Sequence, residues 1–167
     1  MSLNKTVKIA LLSFLLGTFP LFSLAATLSL ESSARSVAEG DVFSVSVYAD
    51  SPTEAANAIV GTISFPANLL IPIGITKGGV VNFLAQEPSY SIDESVATFE
   101  GVVLNPGFTG SRGKIITISF RAKAQGSGMI SFSRSSVLAN DGQGTELLTS
   151  ASGISVHVTE MQKKSSP

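Results

Sequence analysis

Alternating apolar and polar positions characterise the chain beyond its first 25 residues. In the segment 42–49, Phe43, Val45 and Val47 alternate with serine and tyrosine, and the segment 57–65 repeats the alternation. Successive side chains of a β-strand point to opposite faces of the sheet. This period of two therefore predicts strands that are buried on one face only.

The same alternation recurs along the chain, with Gly, Pro, Asn and Asp between the segments. The predicted strands cover residues 27–31, 42–49, 57–65, 69–75, 95–103, 114–124, 129–133 and 154–158, with a less regular stretch at 82–87. A polar loop at 51–56 and a turn-rich loop at 105–110 separate some of them, and Pro72 predicts an edge position for its strand. No segment after residue 25 has sustained helical periodicity, so we predict an all-β sandwich of the jelly-roll type, with an immunoglobulin-like architecture.

The apolar positions of each predicted strand identify the faces that should form the core. The expected inward sets are Leu69, Ile71, Ile73 and Ile75; Ala97, Phe99 and Val103; Ile116, Ile118, Phe120 and Ala122; Ile130 and Phe132; and Ile154, Val156 and Val158. These sets are numerous enough to bury one substantial hydrophobic core, so we expect a single domain.

The first 25 residues differ from the rest and predict a secretory signal peptide. Lys5 and Lys8 precede the apolar run 9–24, and small residues at Ser23 and Ala25 predict cleavage before residue 26. An uncleaved N-terminal anchor is the alternative, because the run is nearly long enough to span a bilayer. We therefore expect a signal peptide at 1–25, a sandwich domain at 26–159, and a disordered tail or the start of a linker at 160–167.

Composition and charge narrow the function classes. The formal net charge is −1 and no basic stripe is present, which disfavours nucleic-acid binding. The chain has no cysteine, so disulfides and a cysteine-anchored lipoprotein are excluded and stability must come from packing or from a bound ion. We expect a secreted protein, extracellular or at the cell surface, that is monomeric and contacts a membrane only through an uncleaved signal segment.

Catalysis is poorly supported by the residues present. His157 is the only histidine and lies on the polar face of the last predicted strand, where a solvated side chain is the simpler interpretation. Asp93 and Glu94 form the densest carboxylate pair, but they lie in a turn-like segment. Neither arrangement resembles a nucleophile with its base or a spaced pair of glycosidase carboxylates, so we predict no enzymatic activity and no catalytic residues.

The loop 140–146 has features of a calcium site. Asn140 and Asp141 would supply side-chain oxygens, the ligands that hard cations prefer. The spacing does not match an EF-hand, and Asn-Asp-Gly is also a common turn. We therefore predict no obligatory cofactor, and keep calcium at Asn140 and Asp141 as an option.

Aromatic residues bear on carbohydrate binding, because sugars stack on exposed rings. The chain has no tryptophan and only two tyrosines, Tyr48 and Tyr90. Phe108, in a loop with Pro and Gly, is the phenylalanine that we expect to be most exposed. A flat sugar platform is weakly supported, although Tyr48 is predicted on the polar face of its strand and could serve a partner that binds the sheet.

Several short motifs follow one another in a defined order along the chain. They are Gly40-Asp41 before an alternating strand, Asn57 at the start of another, the turn Phe65-Pro66-Ala67-Asn68-Leu69, the late strand with Gly113, Ile115, Ile118, Phe120 and Lys123, and the closing stretch 137–142. In this order and spacing, over residues 26–158, the chain resembles a cohesin domain, the receptor module of cellulosome scaffolds. The closing stretch is also similar to that of bacterial cohesin-like surface domains.

The resemblance implies a fold, a partner and two site residues. The fold would be a nine-stranded jelly-roll sandwich, related to scaffold-type cellulose-binding modules. The partner would be a dockerin, a small calcium-loaded helical module, bound across one sheet face. Asn57 and Tyr90 match positions that contribute to that face, whereas Ile59 stands where well-studied cohesins have an acidic residue.

Three functions follow from these observations. The first is a non-catalytic, extracellular cohesin-like module that binds a dockerin-like partner through one sheet face, in polysaccharide breakdown or in cell-surface assembly. The second is a carbohydrate-binding module that holds a polysaccharide through Tyr48, Tyr90 or Phe108. The third is a structural domain of a surface or adhesion protein.

Overall fold

The computed structural model describes residues 26–161, and all of its regular structure is strand. The predicted signal peptide at 1–25 and most of the predicted tail lie outside the described residues. The strands are β1 (Ala26–Ser32), β2 (Ser36–Ala38), β3 (Val42–Ser64), β4 (Leu70–Lys77), β5 (Phe83–Ser91), β6 (Val96–Val102), β7 (Phe108–Ala122), β8 (Gly126–Ala139), β9 (Leu148–Ser152) and β10 (Ile154–Thr159). No helix between residues 26 and 161 is long and apolar enough to cross a membrane.

The strands form two layers that share β3. Layer I has the order β4-β7-β3-β1-β9, and layer II has the order β5-β6-β3-β8-β10-β2. The first half of β3 pairs with β1 and β7, whereas its second half pairs with β6 and β8. The all-β jelly-roll sandwich that the alternation predicted is therefore confirmed. Within residues 26–161 β4 pairs only with β7, so the edge position that Pro72 predicted is confirmed as well.

The core lies between the two layers and is built from alternate residues of both. Val45, Ile118 and Phe120 come from layer I and are fully buried, while Ile59 and Phe99 contribute from layer II. The ring of Phe120 packs against two other phenylalanine rings, with centroids 5.9 Å from Phe43 and 5.4 Å from Phe65. The inward faces predicted for the segments 95–103 and 114–124 are confirmed, because all of their assigned residues are buried.

Gly61 allows a close approach in the middle of layer II. It pairs with Phe99 of β6, and a Cβ atom at Gly61 would lie 2.5 Å from the nearest carbon of the Phe99 ring. The ring therefore occupies the space that any larger residue at position 61 would need. This is a physical reason for a glycine inside a strand, where its lack of a side chain is otherwise unfavourable.

The prediction of a polar loop at 51–56 is wrong. This segment is extended and belongs to β3, and it keeps pairing with β7 through Ser51 opposite Gly110 and Ala56 opposite Phe108. The register shifts on both sides of Ser51, where the strand passes from layer I to layer II. Residues 52–55 have no paired residue on β7, so the polar composition reflects partial exposure at a long irregularity of the pairing.

Several other boundaries differ from the prediction. Residues 26–161 form ten strands instead of nine, because the short β2 and β9 add parallel pairs that carry no alternation of their own, while β3 joins two predicted strands. The stretch at 82–87 belongs to β5, and part of the predicted loop 105–110 belongs to β7. The single inward face predicted for 69–75 is wrong, since the register shifts between Pro72 and Gly74 and leaves Ile73 43% exposed.

Candidate recognition face of layer II

The outer face of layer II carries three rows of side chains that run across four strands. We call the residues of these rows the layer II face. From β8 through β3 and β6 to β5, row one is Leu138, Ala58, Val102 and Phe83; row two is Ser136, Val60, Glu100 and Gln86; and row three is Arg134, Thr62, Thr98 and Ser89. Residues directly opposite one another on paired strands share a face, so each row is a set of neighbours.

Burial shows that these rows face outward. On β3 the residues between them, Ile59, Gly61 and Ile63, are buried, and on β6 the residues Ala97 and Phe99 are buried. The row members themselves are half-buried or exposed. The hydroxyl groups of Ser89 and Thr98, on neighbouring strands in row three, lie 3.0 Å apart and so confirm that these two side chains share a face.

The rows change character along the strands. Row one is apolar throughout, row two places Glu100 beside Val60, and row three consists of hydroxyl groups and Arg134. Rows two and three enclose a shallow groove of about 370 Å³ whose lining includes Val60, Thr62, Gln86, Thr98, Glu100 and Arg134. The face is thus apolar at one end and polar or charged over the rest.

Glu100 and Arg134 lie on opposite sides of this groove and are both exposed. Residues 26–161 contain one ion pair, between Arg112 and Glu31. Neither Glu100 nor Arg134 therefore has an ion-pair partner in this part of the chain. The layer II face therefore offers one negative and one positive group to a binding partner.

Asn57 and Tyr90, the two residues that the resemblance implies, both lie on strands of layer II. Asn57 is half-buried at an irregularity of the pairing between β3 and β8, and its backbone carbonyl accepts a hydrogen bond of 2.8 Å from the Val103 amide. Tyr90 lies on the edge strand β5 and is 42% exposed. It pairs with the buried Ala97, so it shares the inward side of that strand and lies at the open edge instead of on the layer II face.

Tyr48 lies on the opposite side of the molecule, on the outer face of layer I. The Arg112 guanidinium carbon lies 4.9 Å from the centroid of the Tyr48 ring, and the Lys114 ammonium nitrogen lies 5.6 Å away. Arg112 also forms a two-pronged ion pair with Glu31, with distances of 2.5 and 2.9 Å. This hydrogen bonding by Arg112 lowers the pKa of Glu31, and the same contact raises the pKa of Arg112. Tyr48 therefore lies on the layer opposite to Asn57 and Tyr90, which are on strands of layer II.

Phe108 is half-buried and packs against the core, so the prediction that it is the most exposed phenylalanine is wrong. Its ring lies where a Cβ atom at Gly113 would be, so the glycine makes room for it. Among the phenylalanines of residues 26–161, the exposed one is Phe83, at 46%. Sequence reasoning missed Phe83 because its segment has weak alternation and its exposure follows from the edge position of β5.

The loop 140–146 satisfies its own polar groups. One carboxylate oxygen of Asp141 accepts a bond of 2.8 Å from the Gln143 amide, and the other accepts the Thr145 hydroxyl. The Thr145 hydrogen bond is the main reason that the pKa of Asp141 is lowered. The Asn140 side-chain amide donates to the Asn105 side chain at 3.2 Å.

Glu146 is also engaged within this region. Its carboxylate accepts bonds from the Ser136 hydroxyl at 2.5 Å and from the Val137 and Leu148 amides at 2.8 and 3.0 Å. Partial burial raises the pKa of Glu146, but these hydrogen bonds outweigh it, and the net pKa is lowered. Between residues 26 and 161 no group of three or more His, Cys, Asp or Glu side chains could hold a metal ion. The donor set at Asn140 and Asp141 thus fits a hydrogen-bonded turn better than a calcium cage.

His157 is exposed, and its Nδ1 atom lies 2.7 Å from the Ser127 hydroxyl. In the described part of the chain no carboxylate bonds to this pair, so the third group that orients the base in a catalytic triad is not present there. The exposed position predicted for His157 is confirmed.

The fold places the domain in the class of two-layer jelly-roll sandwiches, and comparison with known proteins refines this class. No protein-family profile and no curated protein sequence matches the chain. Among solved structures, a type I cohesin–dockerin complex from Clostridium thermocellum matches with a TM-score of 0.70 and 12% identity, over 82% of this chain and 95% of the other.

Two further matches are cohesin modules from other organisms. A cohesin module from a family 33 glycoside hydrolase of Clostridium perfringens has a TM-score of 0.70 and 12% identity, covering 82% of this chain and 98% of that one. A non-cellulosomal cohesin from Archaeoglobus fulgidus has a TM-score of 0.65 and 13% identity, covering 81% and 91%. The chain therefore contains a domain with the cohesin-like fold that the sequence motifs implied.

Proposed function

We propose that this domain is a non-catalytic protein-recognition module that binds a dockerin-like helical partner through the layer II face. The observation that carries the proposal is the fold likeness to cohesins that include members of cohesin–dockerin complexes. Asn57 and Tyr90, at one end and one edge of layer II, are the polar side chains that would flank the bound partner.

The layer II face has the properties that a protein interface requires. It spans four strands, combines apolar with polar groups, and carries Glu100 and Arg134 without ion-pair partners in the described residues. Specific protein interfaces bury about 600–1,000 Å² on each partner, which one face of a small sandwich can supply.

Ile59 bears on how tightly a standard dockerin would bind. It stands where well-studied cohesins have an acidic residue, and in this chain it is fully buried in the core. It therefore presents no group to a partner, and the polar contacts would come from Glu100, Arg134 and Asn57 instead.

A carbohydrate platform at Tyr48 is less favourable. The Arg112 guanidinium lies over the Tyr48 ring, so a sugar would have to displace a cation that is also held by Glu31. The exposed rings of Phe83 and Tyr90 remain available to a sugar, and a direct binding test distinguishes the two functions.

The export of this domain is part of the same proposal. A cleaved signal peptide at 1–25 would deliver the domain at 26–159 outside the cell, where a dockerin-bearing partner and polysaccharide-degrading enzymes would be found. N-terminal sequencing of the protein recovered from the medium should begin at Ala26. An unprocessed N-terminus on a cell-associated protein would contradict this.

The binding proposal is tested by calorimetry of the domain against purified dockerin modules encoded in the same genome. We expect at least one module to bind with a Kd below micromolar and with a stoichiometry of one. Retention of the domain on insoluble cellulose or chitin, with no dockerin bound, would overturn the proposal in favour of carbohydrate binding.

A further inference from the structure

The outer face of layer I carries two adjacent rows of small polar side chains, which we call the hydroxyl rows. Each row runs from β4 through β7 and β3 to β1. The first is Thr76, Thr117, Ser46 and Glu31, and the second is Gly74, Ser119, Ser44 and Ser33. Between the rows, Val45 of β3 and Ile118 of β7 are fully buried, so the rows themselves face away from the core.

A shallow groove of about 250 Å³ lies over the β1 and β3 ends of the hydroxyl rows. Its lining includes Glu31, Ser33, Ser44, Ser46, Tyr48 and Lys114. Pockets for drug-sized ligands measure about 300–1,000 Å³, so this groove takes one small unit of a ligand that continues along the rows. Protein interfaces centre on apolar and aromatic anchors, whereas this lining is polar apart from one tyrosine ring. The groove therefore suits a ligand that is rich in hydroxyl groups.

Arg112 determines the charge of this groove. Its backbone has a positive φ of 55°, and its amide donates to the Asp50 carboxylate at 2.8 Å. Its guanidinium pairs with Glu31 at 2.9 Å and lies over the ring of Tyr48. One arginine thus engages two carboxylates. Lys114 is left as a groove cation that has no ion-pair partner within residues 26–161.

Lys114 and Arg121 flank the hydroxyl rows on β7. Lys114 pairs with Tyr48 on one side of the rows, and Arg121 pairs with Val42 on the other. Both cations are exposed, and Arg121 also lacks an ion-pair partner in the described part of the chain. Their positions on the strand are roughly 20 Å apart, at about 3.3 Å per residue. A small anion cannot reach both cations, whereas a polymer with repeated anionic groups can.

We propose that the groove and the hydroxyl rows of layer I bind an acidic polysaccharide. Its carboxylates pair with Lys114 and Arg121 through charge-assisted hydrogen bonds, and its hydroxyl groups bond to the serine and threonine side chains between them. Tyr48 is a wall of the groove and not a stacking platform, because Arg112 lies over its ring. This site is on the layer opposite to the layer II face, so it does not depend on the proposed function.

Titration of the domain with polygalacturonate, at low salt and without divalent cations, tests the proposal. We expect binding that weakens as sodium chloride is raised to about 0.15 M, where charges are screened beyond about 8 Å. Fully methyl-esterified polygalacturonate is the matched ligand control, because it has the same sugar backbone without the charges. It should bind at least about tenfold more weakly, since each exposed ion pair contributes little and the polymer adds many of them.

Substitution of the two cations tests the location of the site. Lys114→Gln and Arg121→Gln should each raise the Kd for polygalacturonate about three- to fivefold, as expected for exposed ion pairs, and the double variant about tenfold or more. Arg134→Gln is the matched control. It removes the same charge from an exposed cation without an ion-pair partner in residues 26–161, but on the outer face of layer II. Its Kd should equal that of the wild type, and thermal unfolding should be unchanged in all of these variants.

The proposal is overturned if polygalacturonate does not bind the wild type, or if its methyl ester binds equally well. An equal loss of binding in Arg134→Gln would indicate attraction by net charge alone and would also overturn it. Titration of the double variant with a dockerin module separates this site from the proposed function. Dockerin binding should be unchanged, and its loss would make layer I a protein interface and so overturn the polysaccharide site. Failure of every dockerin module to bind, with polygalacturonate binding intact, would reject the proposed function alone.

Discussion

Replacing Gly61 with alanine would place a methyl group where the ring of Phe99 lies. Two ring carbons would be 2.5 and 2.6 Å from the new Cβ atom, whereas carbon atoms pack best at about 3.5–4.0 Å. Phe99 is 1% exposed, so its ring belongs to the core and a shift of the ring would disturb its buried contacts. We therefore expect strain in the core of layer II.

The expected change in the free energy of unfolding follows from two opposing effects. Alanine is favoured over glycine inside a strand by roughly 0.5–1 kcal/mol, because glycine loses more conformational freedom on folding. Overpacking a well-packed core typically costs about 1–3 kcal/mol. With a contact this short the overpacking cost should exceed the entropic gain, so Gly61→Ala should lower the free energy of unfolding by about 1–2 kcal/mol.

Gly74→Ala provides the matched control. Gly74 lies in the edge strand β4 of layer I, and a Cβ atom there would meet no other atom within 4 Å. The entropic effect then acts alone, and this variant should be neutral or slightly more stable than the wild type. The difference in sign between the two substitutions is the prediction.

Urea unfolding followed by far-ultraviolet circular dichroism measures both variants. The midpoint for Gly61→Ala should fall with little change in the m-value, since the surface exposed on unfolding is nearly the same. In a double-mutant cycle, Phe99→Leu should remove most of the penalty of Gly61→Ala. A Gly61→Ala protein as stable as the wild type, or a penalty that persists with Phe99→Leu, would refute the account of this contact.

Three further predictions concern other parts of the domain. Glu146 has a lowered pKa in the folded state, so its contribution to stability should be present above its ordinary pKa and be lost as the pH falls through the lowered value; Glu146→Gln should remove that part of the pH dependence of urea unfolding. Phe108→Ala should destabilise the domain by about 1–3 kcal/mol, whereas Phe83→Ala at the exposed edge should change the unfolding free energy by less than about 0.5 kcal/mol. Addition of a calcium chelator should leave the melting temperature unchanged, and a clear decrease would restore the calcium site predicted at Asn140 and Asp141.

The alternation of residues was sufficient to predict much of the fold. Phe43, Val45 and Val47 are buried as predicted, because alternate residues of an extended segment lie on the same face, and here that face is the core side. The segment 51–56 was predicted wrongly, since polar composition reports exposure and the backbone there is extended within β3. The strands β2 and β9 could not be predicted, because three to five residues in parallel pairs show no pattern of their own.

The candidate site was less predictable for a different physical reason. The residues of row one of the layer II face are spread over four strands, and only the register of the pairs shows that Leu138, Ala58, Val102 and Phe83 are neighbours. Phe108 is half-buried where Gly113 makes room for its ring, whereas Phe83 is exposed on the edge strand β5. Such pairwise facts cannot be read from the position of a residue in its own strand.

The sharing of β3 between the layers constrains how the domain can form. Layer I has both neighbours of β3 only after β7, which ends at residue 122, has paired, and layer II only after β8, which ends at residue 139, has paired. Pairing between segments so distant in sequence is slow, because long loops must close before contacts repay the lost chain entropy. We therefore expect the two layers to assemble in one late, cooperative step once nearly the whole chain has been synthesised, and not one after the other.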